Sequence, residues 1–171
     1  MFGQKEKRLA LVIGNSNYKF LTKLKNPVGD ALLISETLDS LGFEIILDTN
    51  ITTKRNFQMK INEFAIRRDS FDVGFIFYGG HGMQVNGKNY LLPTKEKFAS
   101  QDEVEEFAMS VERVMKYLTK RSTEVNVLIL DACRNNPLKN TRGSGKGGLA
   151  EIQAKGSLIA FSTTAGNVAD D

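Results

Sequence analysis

The chain has 171 residues, 41% of them hydrophobic and 25% charged, with three prolines; this is the range of one ordinary globular domain and excludes disordered, collagenous and coiled-coil compositions. Lys and Arg number 23 against 20 Asp and Glu, a net charge of +3 scattered along the chain, so nucleic acid is not expected as a partner. One Cys and one His exclude an internal disulfide framework and a structural zinc site. The apolar run near the start is about five or six residues long, too short for a signal-peptide core or a membrane span, so no membrane association and a cytoplasmic location are expected.

Leu9 to Ile13 is a continuous aliphatic run closed by Gly14 and Asn15, the pattern of a strand buried on both faces. A helix is expected from Asn26, with Pro27 in its first turn, Asp30 near the positive end of the dipole, and Ala31, Ile34, Leu38 and Leu41 on one stripe before Gly42. Phe43–Leu47 reads as the second strand. A further helix starts at Thr52 or Thr53, with Phe57, Ile61, Phe64 and Ala65 on one face and Lys54, Arg55, Lys60 and Arg67 mostly in solvent. Val73–Tyr78 is the third strand, running into a tight glycine loop, Gly79, Gly80, His81, Gly82, that leaves the histidine at a strand's carboxyl end.

Asn86–Gly87 between short apolar runs predicts a hairpin, and the acidic stretch that follows, to about residue 109, is expected to be irregular. Ser110 can cap a helix with Val111, Val114, Met115 and Leu118 inward, before a fourth strand, Val125–Leu130, that ends in Asp131, Ala132 and Cys133. Residues 136–155, rich in Gly, Asn and basic side chains, predict a long mobile loop; Leu158–Phe161 is the fifth strand. Strands alternating with amphipathic helices argue for an α/β fold with a mostly parallel sheet, helices on both faces and right-handed crossovers. Sites in such sheets form at the carboxyl ends of strands, where both His81 and Cys133 fall.

His81 and Cys133 follow two different strands, 52 residues apart. A cysteine nucleophile needs a base or a nearby cation to become thiolate, and donors aimed at the oxyanion that forms when a carbonyl is attacked. The histidine supplies the first requirement, and the N–H groups of Gly82 and Cys133 can supply the second. Taken singly, a Cys is more often a small buried hydrophobe and a His a turn residue; here the surrounding sequence outweighs that reading.

The segments FIFYGGHG and VLILDACRNNP, with GNSNY after the first strand, resemble the caspase-like cysteine peptidases, the clan of caspases, metacaspases, paracaspases and their bacterial relatives. The caspase cysteine motif stands here as DACRN, with Asp131 in place of Gln and Asn135 in place of Gly. GSLIAFSTTAG is similar to the strand that opens the caspase small subunit, and the likeness covers roughly residues 8–168. It implies a three-layer α/β/α sandwich with a mostly parallel central sheet. A single caspase-like domain follows: a large-subunit-like part at 8–135, a linker at 136–155 and the start of a small-subunit-like part at 156–171, with a further strand and helices expected beyond. A small-subunit-like segment or a dimer partner is expected to cover the exposed sheet edge.

The resemblance further implies Cys133 as nucleophile, His81 as general base and then general acid, and the Gly82 and Cys133 amides as oxyanion hole, with no third member visible. Caspases hold an acidic substrate side chain with basic pocket residues, whereas Asp131 here replaces a neutral Gln, and metacaspases and paracaspases carry acids in that pocket. LKNPVGDA is similar to the metacaspase pattern LxGCxNDA, aligning Asp30 with the second pocket acid while Asn26–Pro27 replaces the Gly-Cys pair. Ala169, Asp170 and Asp171 stand where the caspase strand continues into Ser-Trp-Arg. These carboxylates imply selection of Arg or Lys before the scissile bond. Read without the resemblance, Asp30 is as well a helix-dipole partner and Asp131 a strand-end acceptor.

The expected function is therefore a cysteine endopeptidase acting on protein or peptide substrates through a thioester acyl-enzyme, with no cofactor required. Lys139, Arg142 and Lys146 offer basic sites in the linker, and self-cleavage is expected at Arg142 or Lys146. Calcium is retained as an activator to be tested, although Asp102–Glu106 lacks the spacing of an EF-hand loop. GSGKGG lacks the Walker spacing and GNSNYKF lacks G-x-G-x-x-G, which sets aside a nucleotide-binding module. The remaining rival is an inactive caspase-like interaction scaffold, disfavoured because both Cys and His are retained.

Overall fold

In the computed structural model, which describes residues 6–119, 125–133 and 157–161, the aliphatic runs lie side by side as strands. The elements in chain order are β1 (Arg8–Gly14), α1 (Pro27–Ser40), β2 (Phe43–Thr49), α2 (Lys54–Arg68), β3 (Val73–Val85), β4 (Lys88–Leu91), α3 (Gln101–Phe107), β5 (Met109–Ser110), α4 (Val111–Leu118), β6 (Val125–Cys133) and β7 (Ser157–Phe161). Strands β2, β1, β3, β6 and β7 are parallel neighbours in that order. Beyond its parallel part, β3 continues into an antiparallel extension with β4 and β5.

Side chains alternate faces along a strand, and the alternation divides the core into two layers. Ala10 and Val12 of β1 and Phe77 of β3 join Ala31 and Leu38 of α1. On the other face Leu9, Leu11, Ile13, Ile76, Leu128 and Leu130 meet Phe57, Ile61 and Phe64 of α2 and Val111, Val114 and Leu118 of α4. Each large aliphatic or aromatic side chain so buried contributes about 1.5–3 kcal/mol. The result is the expected three-layer α/β/α sandwich with a mostly parallel sheet.

Helix starts follow their caps. Thr53 Oγ1 accepts from the Asn56 N–H (3.2 Å) and Ser110 Oγ from the Arg113 N–H (3.3 Å). Asn26 makes no side-chain cap for α1; Ser16 Oγ, from the preceding loop, accepts from the Val28 N–H at 3.1 Å instead. Asn86 and Gly87 both have positive φ (51° and 77°), as a two-residue hairpin turn requires.

Gly14 is required by close approach. A Cβ there would overlap the Pro27 carbonyl and lie 2.7 Å from the Ala31 Cβ, so α1 can seat on β1 only over a bare backbone. Gly14→Ala is expected to lift the first turn of α1 at a cost of about 2–3 kcal/mol, read as a lower urea midpoint.

Three expectations need correction. The glycines around His81 do not form a loop: β3 runs unbroken from Val73 to Val85 because β6 and then β4 supply hydrogen-bonding partners on its flanks. The acidic stretch contains α3, started by Ser100, whose Oγ accepts from the Glu103 N–H (3.2 Å), while Glu103 Oε2 accepts from the Ala99 N–H (2.6 Å). Lys54 Nζ closes the far end of α3 on the carbonyls of Glu105 (3.1 Å) and Glu106 (2.7 Å); partial burial and the nearby Arg113 lower the pKa of this lysine. Leu41, placed on the buried stripe of α1 by its spacing, is exposed just past the helix end.

Candidate active site

Parallel pairing of β3 with β6 sets Tyr78 opposite Leu130, Gly79 opposite Asp131, Gly80 opposite Ala132 and His81 opposite Cys133. The lone His and the lone Cys thus occupy one register at the carboxyl edge of the sheet. Neither residue's spacing in the chain encodes this; the adjacency of β3 and β6 does.

His81 is 4% exposed and is held at three points. Its Nε2 lies 2.8 Å from the Thr22 carbonyl. A carbonyl only accepts, so Nε2 carries the proton and Nδ1, enclosed from solvent, is the basic nitrogen of the neutral ring. Its backbone N–H donates to the Tyr18 hydroxyl (2.8 Å), and its carbonyl accepts from the Tyr78 hydroxyl (2.8 Å) and the Leu92 N–H (3.0 Å). The Tyr18 ring packs tilted against the imidazole with centroids 4.5 Å apart.

Thr22 reaches His81 because the loop after β1 is pinned along its length. Asn50 Oδ1, presented by a left-handed residue after β2, accepts from the N–H groups of Ser16 (2.9 Å) and Asn17 (2.8 Å). The Lys19 N–H donates to the Thr94 carbonyl (2.8 Å), and buried Asn15 donates to the Leu92 carbonyl (3.2 Å) while accepting from the Ile51 N–H (2.9 Å). The side chains of Asn15, Asn50, Tyr18 and Tyr78 and the Thr22 carbonyl carry this arrangement and escaped the sequence reading. GNSNY was the one signal that pointed to this loop.

The bonded rung from the Leu92 N–H to the His81 carbonyl makes Gly82 and Leu91 the next, non-bonded pair. The Gly82 N–H therefore turns away from β4. Asp131 is half-buried opposite Gly79, two residues beyond Ile129, which packs on the α1 side of the sheet. Asp30 is half-buried in the first turn of α1, and that turn reaches Gly79, where a Cβ would lie 3.3 Å from Pro27 Cβ. Both aspartates thus belong to the α1 layer at the carboxyl edge.

Arg142, Lys146, the linker 136–155 and Asp170–Asp171 lie outside the described residues. Among the described residues no three His, Cys, Asp or Glu side chains converge as metal ligands, and no helix is long and apolar enough to cross a membrane. Within Asp102–Glu106, Glu103 is engaged at the start of α3 and Glu105 accepts from Asn86 Nδ2 (3.1 Å). A concavity of about 270 Å³ between Glu6, Arg8, Ser40, Leu41 and Gly42 lies at the opposite, amino edge, away from His81, Cys133, Asp131 and Asp30.

Known proteins similar to this chain share a domain family and a fold with it. The caspase domain family model (peptidase C14) matches residues 7–171. Human mucosa-associated lymphoid tissue lymphoma translocation protein 1 is 30% identical over 129 residues, 74% of this chain and 15% of its own length. Mouse caspase-12 is 32% identical over 78 residues, 44% of this chain and 18% of its own. The chain therefore spans less than a fifth of these relatives. The crystal structure of the Drosophila initiator caspase Dronc superposes with a TM-score of 0.62 at 12% identity, covering 94% of this chain and 58% of that one, a likeness of fold. With the family model matching almost its whole length, the chain belongs to the caspase-domain family of cysteine peptidases.

Proposed function

We propose that the chain is a cysteine endopeptidase that cleaves after Arg or Lys. The observation that carries this reading is the shared register of His81 and Cys133 on neighbouring strand ends, with the imidazole oriented by the Thr22 carbonyl. In the proposed cycle His81 Nδ1 takes the thiol proton of Cys133, and the thiolate attacks the scissile carbonyl carbon. The N–H groups of Gly82 and Cys133 donate to the oxyanion. Collapse breaks the C–N bond, the imidazolium returns its proton to the leaving amine, and a thioester remains. Water, deprotonated by the same imidazole, then releases the acid and regenerates the thiol. No step calls for a metal or an organic cofactor; calcium enters only as an activator to be varied in the assay.

Asp131 and Asp30 give the reading its specificity. Two carboxylates at one edge of the α1 layer suit a guanidinium or ammonium group through charge-assisted hydrogen bonds. Fluorogenic peptides with Arg, Lys or Asp before the reporter, assayed with and without calcium, test this. Cleavage after Arg or Lys is expected, and Asp131→Asn is expected to lower kcat/KM on those peptides by about tenfold or more, in line with the loss of one charge-assisted bond. Cleavage after Asp alone would keep the peptidase and refute the acidic pocket. No hydrolysis, together with a Cys133 unreactive toward iodoacetamide, would favour the interaction scaffold.

A further inference from the structure

His81 and Leu92 stand where a bonded antiparallel pair should exchange two hydrogen bonds, N–H to C=O in each direction. One is present, from the Leu92 N–H to the His81 carbonyl at 3.0 Å. The return connection runs through a side chain. The His81 N–H donates to the Tyr18 hydroxyl at 2.8 Å, and that hydroxyl lies 3.2 Å from the Leu92 carbonyl as donor. A phenol oxygen is thus inserted into the ladder at the residue before Gly82. Gly80, immediately upstream, has φ +151°, and a Cβ there would lie 2.7 Å from the hydroxyls of both Tyr18 and Tyr78.

From this geometry we infer that Tyr18 is a positioning residue for His81, a wedge that holds β3 partly open from β4 and thereby aims the imidazole at the Thr22 carbonyl. The inference rests on the peptidase reading for its consequence in turnover and on the ladder geometry alone for its consequence at His81. Tyr78 is the accessory member. Its hydroxyl donates to the His81 carbonyl, which also keeps the bond from the Leu92 N–H, so losing Tyr78 disturbs His81 less. Burial, with Tyr18 alongside, holds the Tyr78 phenol well above its ordinary pKa, so it stays a donor at assay pH.

In Tyr18→Phe the phenyl ring can keep its packing while the oxygen is lost. The Leu92 carbonyl keeps Asn15 Nδ2 (3.2 Å) and the Tyr78 hydroxyl (3.3 Å) as donors, but the His81 N–H loses its acceptor and can then close directly on that carbonyl, drawing the His81 peptide toward Leu92 and turning the ring away from Thr22. With one histidine in the chain, the imidazole signals in an NMR titration need no assignment. The expected result for Tyr18→Phe is a kcat at least about tenfold lower, KM within about twofold, and a His81 titration midpoint displaced by at least about half a unit. Tyr78→Phe is expected to move both readings less.

Leu38→Ala, a truncation of buried α1 core toward the amino edge, controls for stability and is expected to keep kcat and the His81 titration unchanged. Wild-type kcat and an unmoved titration in Tyr18→Phe would overturn the inference, as would equal losses in Leu38→Ala at a matched thermal midpoint. If the wild-type chain hydrolyses no peptide, the peptidase reading fails while the titration still decides the wedge: displacement in Tyr18→Phe supports it and an unchanged midpoint refutes it.

Discussion

Cys133→Ala is expected to lower kcat/KM on Arg and Lys peptides by at least about 1,000-fold, because the covalent route disappears with the sulfur. His81→Ala is expected to come close to the same loss, since a thiol without its base presents only a few per cent of thiolate near neutral pH. The two residues act as one unit, so the double variant should lose little more than either single one. Initial rates on one Arg peptide for all three variants measure this. A chloromethyl ketone with Arg at its reactive end adds a second readout: it should label the wild type once per chain, label His81→Ala much more slowly and leave Cys133→Ala untouched. Undiminished hydrolysis by Cys133→Ala would remove this cysteine from the reaction. Circular dichroism on each variant separates loss of chemistry from loss of fold.

The second large effect concerns a residue with no side chain. Gly80→Ala sets a methyl group 2.7 Å from two buried hydroxyls in a backbone conformation that L side chains rarely adopt. Overpacking and backbone strain together are expected to cost about 2–4 kcal/mol, and the thermal midpoint should fall by roughly 5–15 °C for a domain of this size. Turnover should fall as well, because the displaced hydroxyls are the ones that hold the His81 peptide on both sides. Gly87→Ala is the comparison: its φ is +77° but nothing lies within 4 Å of a Cβ, so only conformational strain of about 1 kcal/mol is expected. Equal midpoints for the two variants would mean that the Tyr18–Tyr78 pair yields readily and that the close approach at Gly80 is of little consequence.

Buried Arg68 illustrates how poorly residue type predicts burial at a junction. It is 1% exposed at the end of α2, donates to the Phe71 carbonyl and to Asn126 Oδ1 (3.0 Å), and packs where only a glycine, Gly74, leaves room. The planar fork of the guanidinium satisfies carbonyl and amide oxygens from two segments at once. It joins the starts of β3 and β6 at the edge opposite His81 and Cys133. The β3–β6 register that aligns those two residues is therefore pinned at the amino edge of the sheet as well as along the ladder.

The sequence by itself determined whatever depends on neighbours a few residues apart. The aliphatic runs at Leu9–Ile13 and Val73–Tyr78 became strands, Thr53 and Ser110 became caps, and Asn86–Gly87 became the hairpin turn, because period, capping and φ preference are local properties. The motifs around His81 and Cys133 were legible in the same way, as strings. The capping pattern Ser100 to Glu103 was also there to be read and marks the start of α3. The glycines after Tyr78 misled, since glycine permits a turn but does not impose one, and partners on both flanks kept β3 extended. Only the tertiary structure decided that the Thr22 carbonyl, the Leu92 N–H and the hydroxyls of Tyr18 and Tyr78 meet at His81. Those groups come from segments up to 74 residues apart, and each finds its partner only after the strand order β2-β1-β3 brings the loop after β1 against β3 and the chain leaving β4. A backbone carbonyl or N–H has the same chemistry at every position in a sequence, so what distinguishes Thr22 and Leu92 is where the sheet puts them.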